Sequence, residues 1–177
     1  MTVASPATLA DAVGMLGDGN DWHVLAGGTD LLIQMRSGRV EPALLVDVKH
    51  IPEMCEITSD ASGFRLGAAV ACMAVVEHAA FARAWPGVTE AVGLIGSIQV
   101  KGRATVGGNL CNASPAADGV PPLLALDAEV EIHGPAGRRH LPLSAFITGN
   151  RRTALAPGEM LVAVRVPQPA PEARSAF

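Results

Sequence analysis

The apolar positions of the chain fall into two rhythms. In the first, Trp22-His23-Val24-Leu25 is a short strand candidate. Ala43-Leu44-Leu45-Val46-Asp47-Val48 follows as an apolar, β-rich run without alternation, as strands of a parallel sheet buried on both faces are. Helices are expected around them. Ser5-Pro6 sets an N-cap before proline at a first helical position and predicts a helix to about Leu16, stopped at Gly17. After the break at Gly27-Gly28, Thr29 can cap a helix through Leu31, Leu32 and Met35 to Ser37.

The second rhythm is made of shorter strands and hairpins. Phe64 to Ala68 and Ala128 to His133 are strand candidates, and Met160 to Val166 is expected as an alternating strand. Gly134-Pro135-Ala136-Gly137 turns Glu129–His133 into a returning segment that ends at Leu141. Helices are expected at about 72–83, 86–95 and 119–126. Short strands linked by hairpins predict an antiparallel sheet with helices packed on it. The fold class is therefore α+β, a small parallel-sheet lobe beside a larger antiparallel one.

Charge sharpens the division. Residues 1–60 carry nine acidic and three basic side chains, whereas residues 61–177 carry eight acidic and ten basic. The change of sign falls beside the turn-like Ser59-Asp60-Ala61-Ser62-Gly63, so the lobes are drawn at 1–58 and 59–167. Pro167-Gln168-Pro169-Ala170-Pro171 reads as extended chain, and 168–177 as a linker leading away from the domain.

The chain has 177 residues, 49% of them hydrophobic, the size of one ordinary domain or of two lobes sharing a core. About 70% of the unfolded surface is buried at this length, so no disulfide is needed. Cys55, Cys72 and Cys111 show no C-x-x-C spacing and the five histidines no H-E-x-x-H, so neither a metal site nor an iron–sulfur cluster of the chain's own is expected. A net charge of −4 argues against nucleic acid, whose binding rests on Lys and Arg at phosphates. No secretory signal opens the sequence. The longest strongly apolar run, Leu66 to Val76, is too short to span a bilayer, which takes about 20 residues, so a cytoplasmic protein is expected.

Two glycine-rich segments carry the candidate chemistry: Ala26-Gly27-Gly28-Thr29-Asp30-Leu31, and Thr105-Val106-Gly107-Gly108-Asn109-Leu110-Cys111-Asn112-Ala113-Ser114-Pro115. Glycine admits positive φ and close backbone approach, and consecutive amides can then form a concave nest for an anion. Such nests suit a diphosphate without many cationic side chains. Neither segment fits G-x-G-x-x-G or the P-loop pattern, and a Gly-Gly pair alone is equally a tight turn.

Together the segments carry a resemblance. Ala26–Leu31 looks like the first flavin-diphosphate loop of the FAD-binding subunits of molybdenum hydroxylases. Ile95-Gly96-Ser97, Gln99-Val100, Arg103–Leu110 and Ala113–Asp118 look like the second. Gly158-Glu159-Met160-Leu161, ending in Val164-Arg165-Val166-Pro167, is similar to the strand that closes that FAD domain. Carbon monoxide dehydrogenase medium subunits and the flavin portion of xanthine dehydrogenase are the relatives it points to, over about residues 4–167.

The resemblance implies the two-lobed FAD-binding fold of the vanillyl-alcohol-oxidase and para-cresol methylhydroxylase type. It implies FAD, with Ala26, Gly27, Gly28, Thr29 and Leu31 around the diphosphate, and Asp30 binding through its backbone while its carboxylate turns away. Thr105, Gly108, Asn109, Asn112 and Ser114 would continue the cradle, Asp118 would accept from a cofactor hydroxyl, and Leu161 would pack near the ring. An electron-transfer role follows, with an iron–sulfur subunit of two [2Fe–2S] clusters and a molybdenum-cofactor large subunit as partners, and no acid–base or nucleophilic residue. Family members continue past the proline-rich linker into a second α+β domain. The chain also holds no tyrosine to stack on the ring.

Alternatives stay open at this point. Thr29 can be only a helix cap and Asp118 only a cap for Val120–Leu126. Cys111 reads as a small buried residue, and Lys101 and Arg103 as either a positive field or a solvated face. At the level of the whole chain, a non-catalytic assembly module binding little flavin, or a vanillyl-alcohol-oxidase-type enzyme acting directly on substrate, are the other readings.

Overall fold

The computed structural model describes residues 1–17, 21–170 and 172. A three-stranded parallel sheet has the order β1-β3-β2, from β1 (Thr2–Ala4), β2 (Trp22–Leu25) and β3 (Leu44–Asp47). Residues 2–4 are a strand that the sequence pattern did not announce. The first helix, α1 (Leu9–Met15), accordingly starts later than Ser5-Pro6 suggested. Thr8 caps it by accepting from the Asp11 amide at 3.1 Å, while Pro6 is buried. Between β2 and β3 runs α2 (Leu31–Arg36), and after β3 come a one-turn 3-10 helix (Val48–His50) and α3 (Pro52–Cys55).

A five-stranded antiparallel sheet follows, in the order β4-β5-β10-β6-β7. Its members are β4 (Ile57–Asp60), β5 (Gly63–Gly67), β6 (Glu129–Gly134), β7 (Gly137–Pro142) and β10 (Met160–Pro167). The segment from Ser59 to Gly63 is the β4–β5 hairpin of this sheet. The turn at Gly134–Gly137 joins β6 and β7 as expected, with Gly137 at φ +98°. β10 departs from its expected half-buried alternation. It is the central strand, buried from Met160 to Val164, with α3 and α8 packed against it.

Most helices lie between β5 and β6: α4 (Cys72–Glu77), α5 (Ala79–Ala84), α6 (Pro86–Gly93), α7 (Ile98–Lys101), α8 (Val106–Asn112) and α9 (Val120–Ala125). The single helix expected at 72–83 is broken at His78. That residue is extended (φ −75°, ψ 96°), and its Nδ1 accepts from the Phe81 amide at 3.1 Å to start α5. A short α10 (Leu143–Phe146) and a β8 (Ile147–Gly149)–β9 (Arg152–Thr153) hairpin complete the order. One apolar cluster runs through both sheets, from Leu9, Ala12 and Val46 to Leu66, Ile132 and Val164.

The outer half of the large sheet is held by charge. Glu131 on β6 is only 4% exposed and accepts from Arg65 Nε at 2.9 Å and from Arg138. Burial pushes its carboxyl up, but the hydrogen bonds and charges of the two arginines outweigh that and hold it below the ordinary range. Beyond Pro167, Gln168 donates to the Ser62 carbonyl at 2.9 Å. Of the expected 168–177 linker, Pro171 and residues 173–177 lie outside the described residues. Among the described residues no helix is long and apolar enough to cross a membrane.

Candidate functional site

β2 ends at Leu25, opposite Asp47 of β3, and the chain turns through Ala26-Gly27-Gly28 into α2. Gly28 stands at φ +77°, a conformation that a side chain would strain. The cap position of α2 is Asp30, which makes no side-chain cap bond, so Thr29 is not the cap its hydroxyl suggested. Among the described residues none of the five amides from Gly27 to Leu31 donates a hydrogen bond. Two carbonyls of the same stretch are used: Gly28 accepts from Leu32 and Asp30 from Gln34, both at 3.0 Å. The segment thus turns the Gly28 and Asp30 carbonyls into the helix, while its amides have no partner among the described residues.

The second glycine segment is not a loop. Thr105, 3% exposed, accepts from the Gly108 amide at 2.9 Å and starts α8, and the Asn109 amide donates to the Thr105 carbonyl at 2.9 Å. Small residues and a cap are enough to make a helix where glycines alone would signal a turn. Gly107 is the packing glycine, since a Cβ there would lie 2.6 Å from Ala68 Cβ. Gly108 faces outward, and the one heavy atom near its would-be Cβ is the Thr105 hydroxyl, at 2.9 Å. α8 ends at Ala113 in the left-handed region, φ +45°.

Three further expectations change here. Cys111 is an exposed residue of α8 rather than a buried one. The protein atoms crowded around its sulfur nevertheless push the thiol up to about 12, which keeps it protonated. Asp118 does not cap α9, whose cap position is Gly119 without a side-chain bond. Among the described residues its half-buried carboxylate has no hydrogen bond or ion pair. Lys101 donates to the Gly96 carbonyl at 3.2 Å, which ties it to the preceding turn.

The two segments meet. A Cβ on Gly27 would lie 2.9 Å from Ala104 Cα and closer still to the Arg103 carbonyl oxygen, so only glycine lets the first segment seat against the second. Between them opens a cleft of about 1010 Å³. Ala26, Gly27, Gly28, Thr29, Asp30 and Leu31 line one side, and Thr105, Gly108, Asn109, Asn112, Ser114 and Asp118 the other. Leu161, 4% exposed, lines it from β10, next to a bulge between Leu161 and Ala163 against β6. All thirteen sequence-derived positions thus share one cavity.

Polar atoms on the second wall are partly committed. Asn112 Oδ1 accepts from Gln34 and from Arg151, both at 3.3 Å, and Ser114 Oγ accepts from the Ala116 amide at 3.3 Å. Arg139 from β7 grips Glu159 at 2.7 Å through two nitrogens and donates to the Ala154 carbonyl at 2.9 Å, fixing the 154–160 segment that walls the cleft. Gln34, Arg39 and Arg151 line the cavity, and sequence reasoning missed them. Only the backbone marks Arg151, at φ +55° in the β8–β9 turn.

The sequence matches the family described as the FAD binding domain in molybdopterin dehydrogenase over residues 1–169. It is 38% identical over 162 residues to the xanthine dehydrogenase FAD-binding subunit of Escherichia coli O157:H7, covering 91% of this chain and 56% of that one. It is 33% identical over 164 residues to the carbon monoxide dehydrogenase medium chain of Hydrogenophaga pseudoflava, covering 92% and 57%. Among solved structures, carbon monoxide dehydrogenase of H. pseudoflava lacking the Mo-pyranopterin moiety superposes with a TM-score of 0.90 at 33% identity, covering 96% and 59%. Quinoline 2-oxidoreductase of Pseudomonas putida 86 gives 0.91 at 30%, covering 96% and 59%. The chain thus spans less than three fifths of the length of these relatives.

Proposed function

We propose, because the chain belongs to the family of FAD-binding domains in molybdopterin dehydrogenases, that it holds FAD in this cleft as the flavin-bearing electron-transfer part of a molybdenum-containing dehydrogenase or hydroxylase. The observation that carries the reading is a cleft lined both by five amides, Gly27 to Leu31, and by the Asp118 carboxylate, none of which has a hydrogen-bond partner among the described residues. Buried or half-buried donors left free by the fold are complementary to an anion, and a free carboxylate is complementary to hydroxyls. A dinucleotide offers both.

The roles follow from what each group has free. Ala26 leads into the run, and Gly27, Gly28, Thr29, Asp30 and Leu31 present amides to the diphosphate, with the exposed Asp30 carboxylate turned to solvent. Gly108 contributes space rather than a donor, because Thr105 already holds its amide. Asn109, Asn112 and Ser114 border the cofactor on the α8 side, Asp118 accepts from a hydroxyl of its sugar or ribityl chain, and Leu161 packs against the ring. Flavin, when bound, takes electrons singly and can release them as a pair, chemistry that the protein positions rather than performs. The partners this implies are an iron–sulfur subunit with two [2Fe–2S] clusters and a large subunit carrying the molybdenum cofactor.

Reconstitution tests the reading. Purified protein incubated with FAD and desalted should keep near-stoichiometric flavin bands in its absorption spectrum. No retained flavin and no quenching of flavin fluorescence on titration would overturn it and leave an assembly module in its place.

A further inference from the structure

Lys49 and Asp47 lie behind the first glycine segment, and neither lines the cleft. The parallel ladder of β2 and β3 ends at Leu25 and Asp47, after which the chain curls into the 3-10 turn Val48–His50. The Ala26 carbonyl, one residue beyond the ladder, has no backbone donor among the described residues. Lys49 Nζ takes that place at 3.2 Å. The same ammonium is held by Asp47 Oδ1 at 2.6 Å, and Asp47 is itself fixed by accepting the Lys49 amide at 3.1 Å. The pair is largely enclosed, its side chains 32% and 15% exposed, so the bond is shielded from competing water.

We infer that Lys49 is a positioning residue for the anion nest: by holding the Ala26 carbonyl it sets the direction of the Gly27 amide, the first of the five free donors. This inference rests on the FAD reading of the cleft. The warrant is peptide planarity. The Ala26 carbonyl and the Gly27 N–H belong to one rigid trans unit and point to opposite sides, so drawing the oxygen toward Lys49 turns the hydrogen the other way. The next link is clamped as well, because Gly27 is wedged against the backbone of Arg103 and Ala104. A charged donor on the carbonyl also polarises the peptide and strengthens the N–H at its far end. Lys49 thus acts on the ligand through a peptide bond, and Asp47 keeps its ammonium in place.

Two measurements on the full chain test this. In ligand-free protein, the backbone 15N heteronuclear NOE of Gly27–Leu31 should fall in Lys49→Met while that of β5 and β10 stays at the wild-type level. Lys49→Arg, which can still donate to both oxygens, should restore it. With FAD, Lys49→Met should weaken the dissociation constant about tenfold, as loss of one charge-assisted hydrogen bond does, and Lys49→Arg should recover most of it. An unchanged NOE in Lys49→Met overturns the inference, as does a wild-type dissociation constant in that variant. Failure of the FAD reading is separate: wild type itself would then take up no flavin, while the Lys49-dependent ordering of the segment would persist.

Discussion

Gly27–Leu31 and Thr105–Asn112 share a doubled glycine and a threonine, yet they use their amides differently. In the first, Gly28 sits in the left-handed region, and among the described residues no side chain caps the following helix and five donors have no partner. In the second, Thr105 turns the same kind of composition into a capped helix, whose glycines serve contact with Ala68 and open space. The threonine decides. Placed three residues before Gly108 it reaches that amide, whereas Thr29, one residue after Gly28, reaches none. One segment supplies donors and the other supplies shape.

The sharpest way to break this contrast is at the contact between them. Gly27→Ala puts a Cβ against the backbone of Arg103 and Ala104, where no side chain can yield. FAD affinity should fall about a hundredfold or more, with a stability loss of about 1–3 kcal/mol. A wild-type flavin titration would show that the contact does not shape the cleft. Gly108→Val should also abolish tight FAD binding at a stability cost of about 1 kcal/mol, because its Cβ would press only on the Thr105 hydroxyl that caps α8, 2.9 Å away. Unchanged flavin content would remove Gly108 from the site.

Smaller effects sharpen the comparison. Asp118→Ala should weaken FAD by about 1–3 kcal/mol, read as a dissociation constant, without loss of stability, since among the described residues none bonds that carboxylate. Thr105→Ala should lower stability by about 1 kcal/mol in thermal unfolding through loss of its cap. Thr29→Ala, which caps nothing, should leave the unfolding temperature where it was.

Much of this was legible in the residues. Trp22–Leu25 was located to the residue, and the hairpin at Gly134–Gly137 announced itself through turn chemistry. What stayed hidden depended on partners distant in sequence. Thr2–Ala4 is a strand only because Leu44–Val46 lies beside it. β10 was expected to alternate, although its five consecutive apolar residues from Met160 to Val164 suit the buried central position that its neighbours give it. The break at His78 needed an imidazole acting as a cap, a role that propensity does not assign. In the site, glycines and Asp118 could be found by resemblance. Arg39 and Arg151 carry no local signal, and Lys49 matters only through a carbonyl beyond the end of a ladder.

The contact of Gly27 with Arg103 and Ala104 couples folding to occupancy. No partly collapsed intermediate lacking that long-range closure can present both walls at once, so the ligand has affinity for the native ensemble alone. By mass action, saturating FAD at a hundred times its dissociation constant would then raise the unfolding free energy by about 2.7 kcal/mol. In calorimetry the flavin would register as a thermal stabiliser of the entire polypeptide, so its loss from the cell would expose the chain to proteolysis.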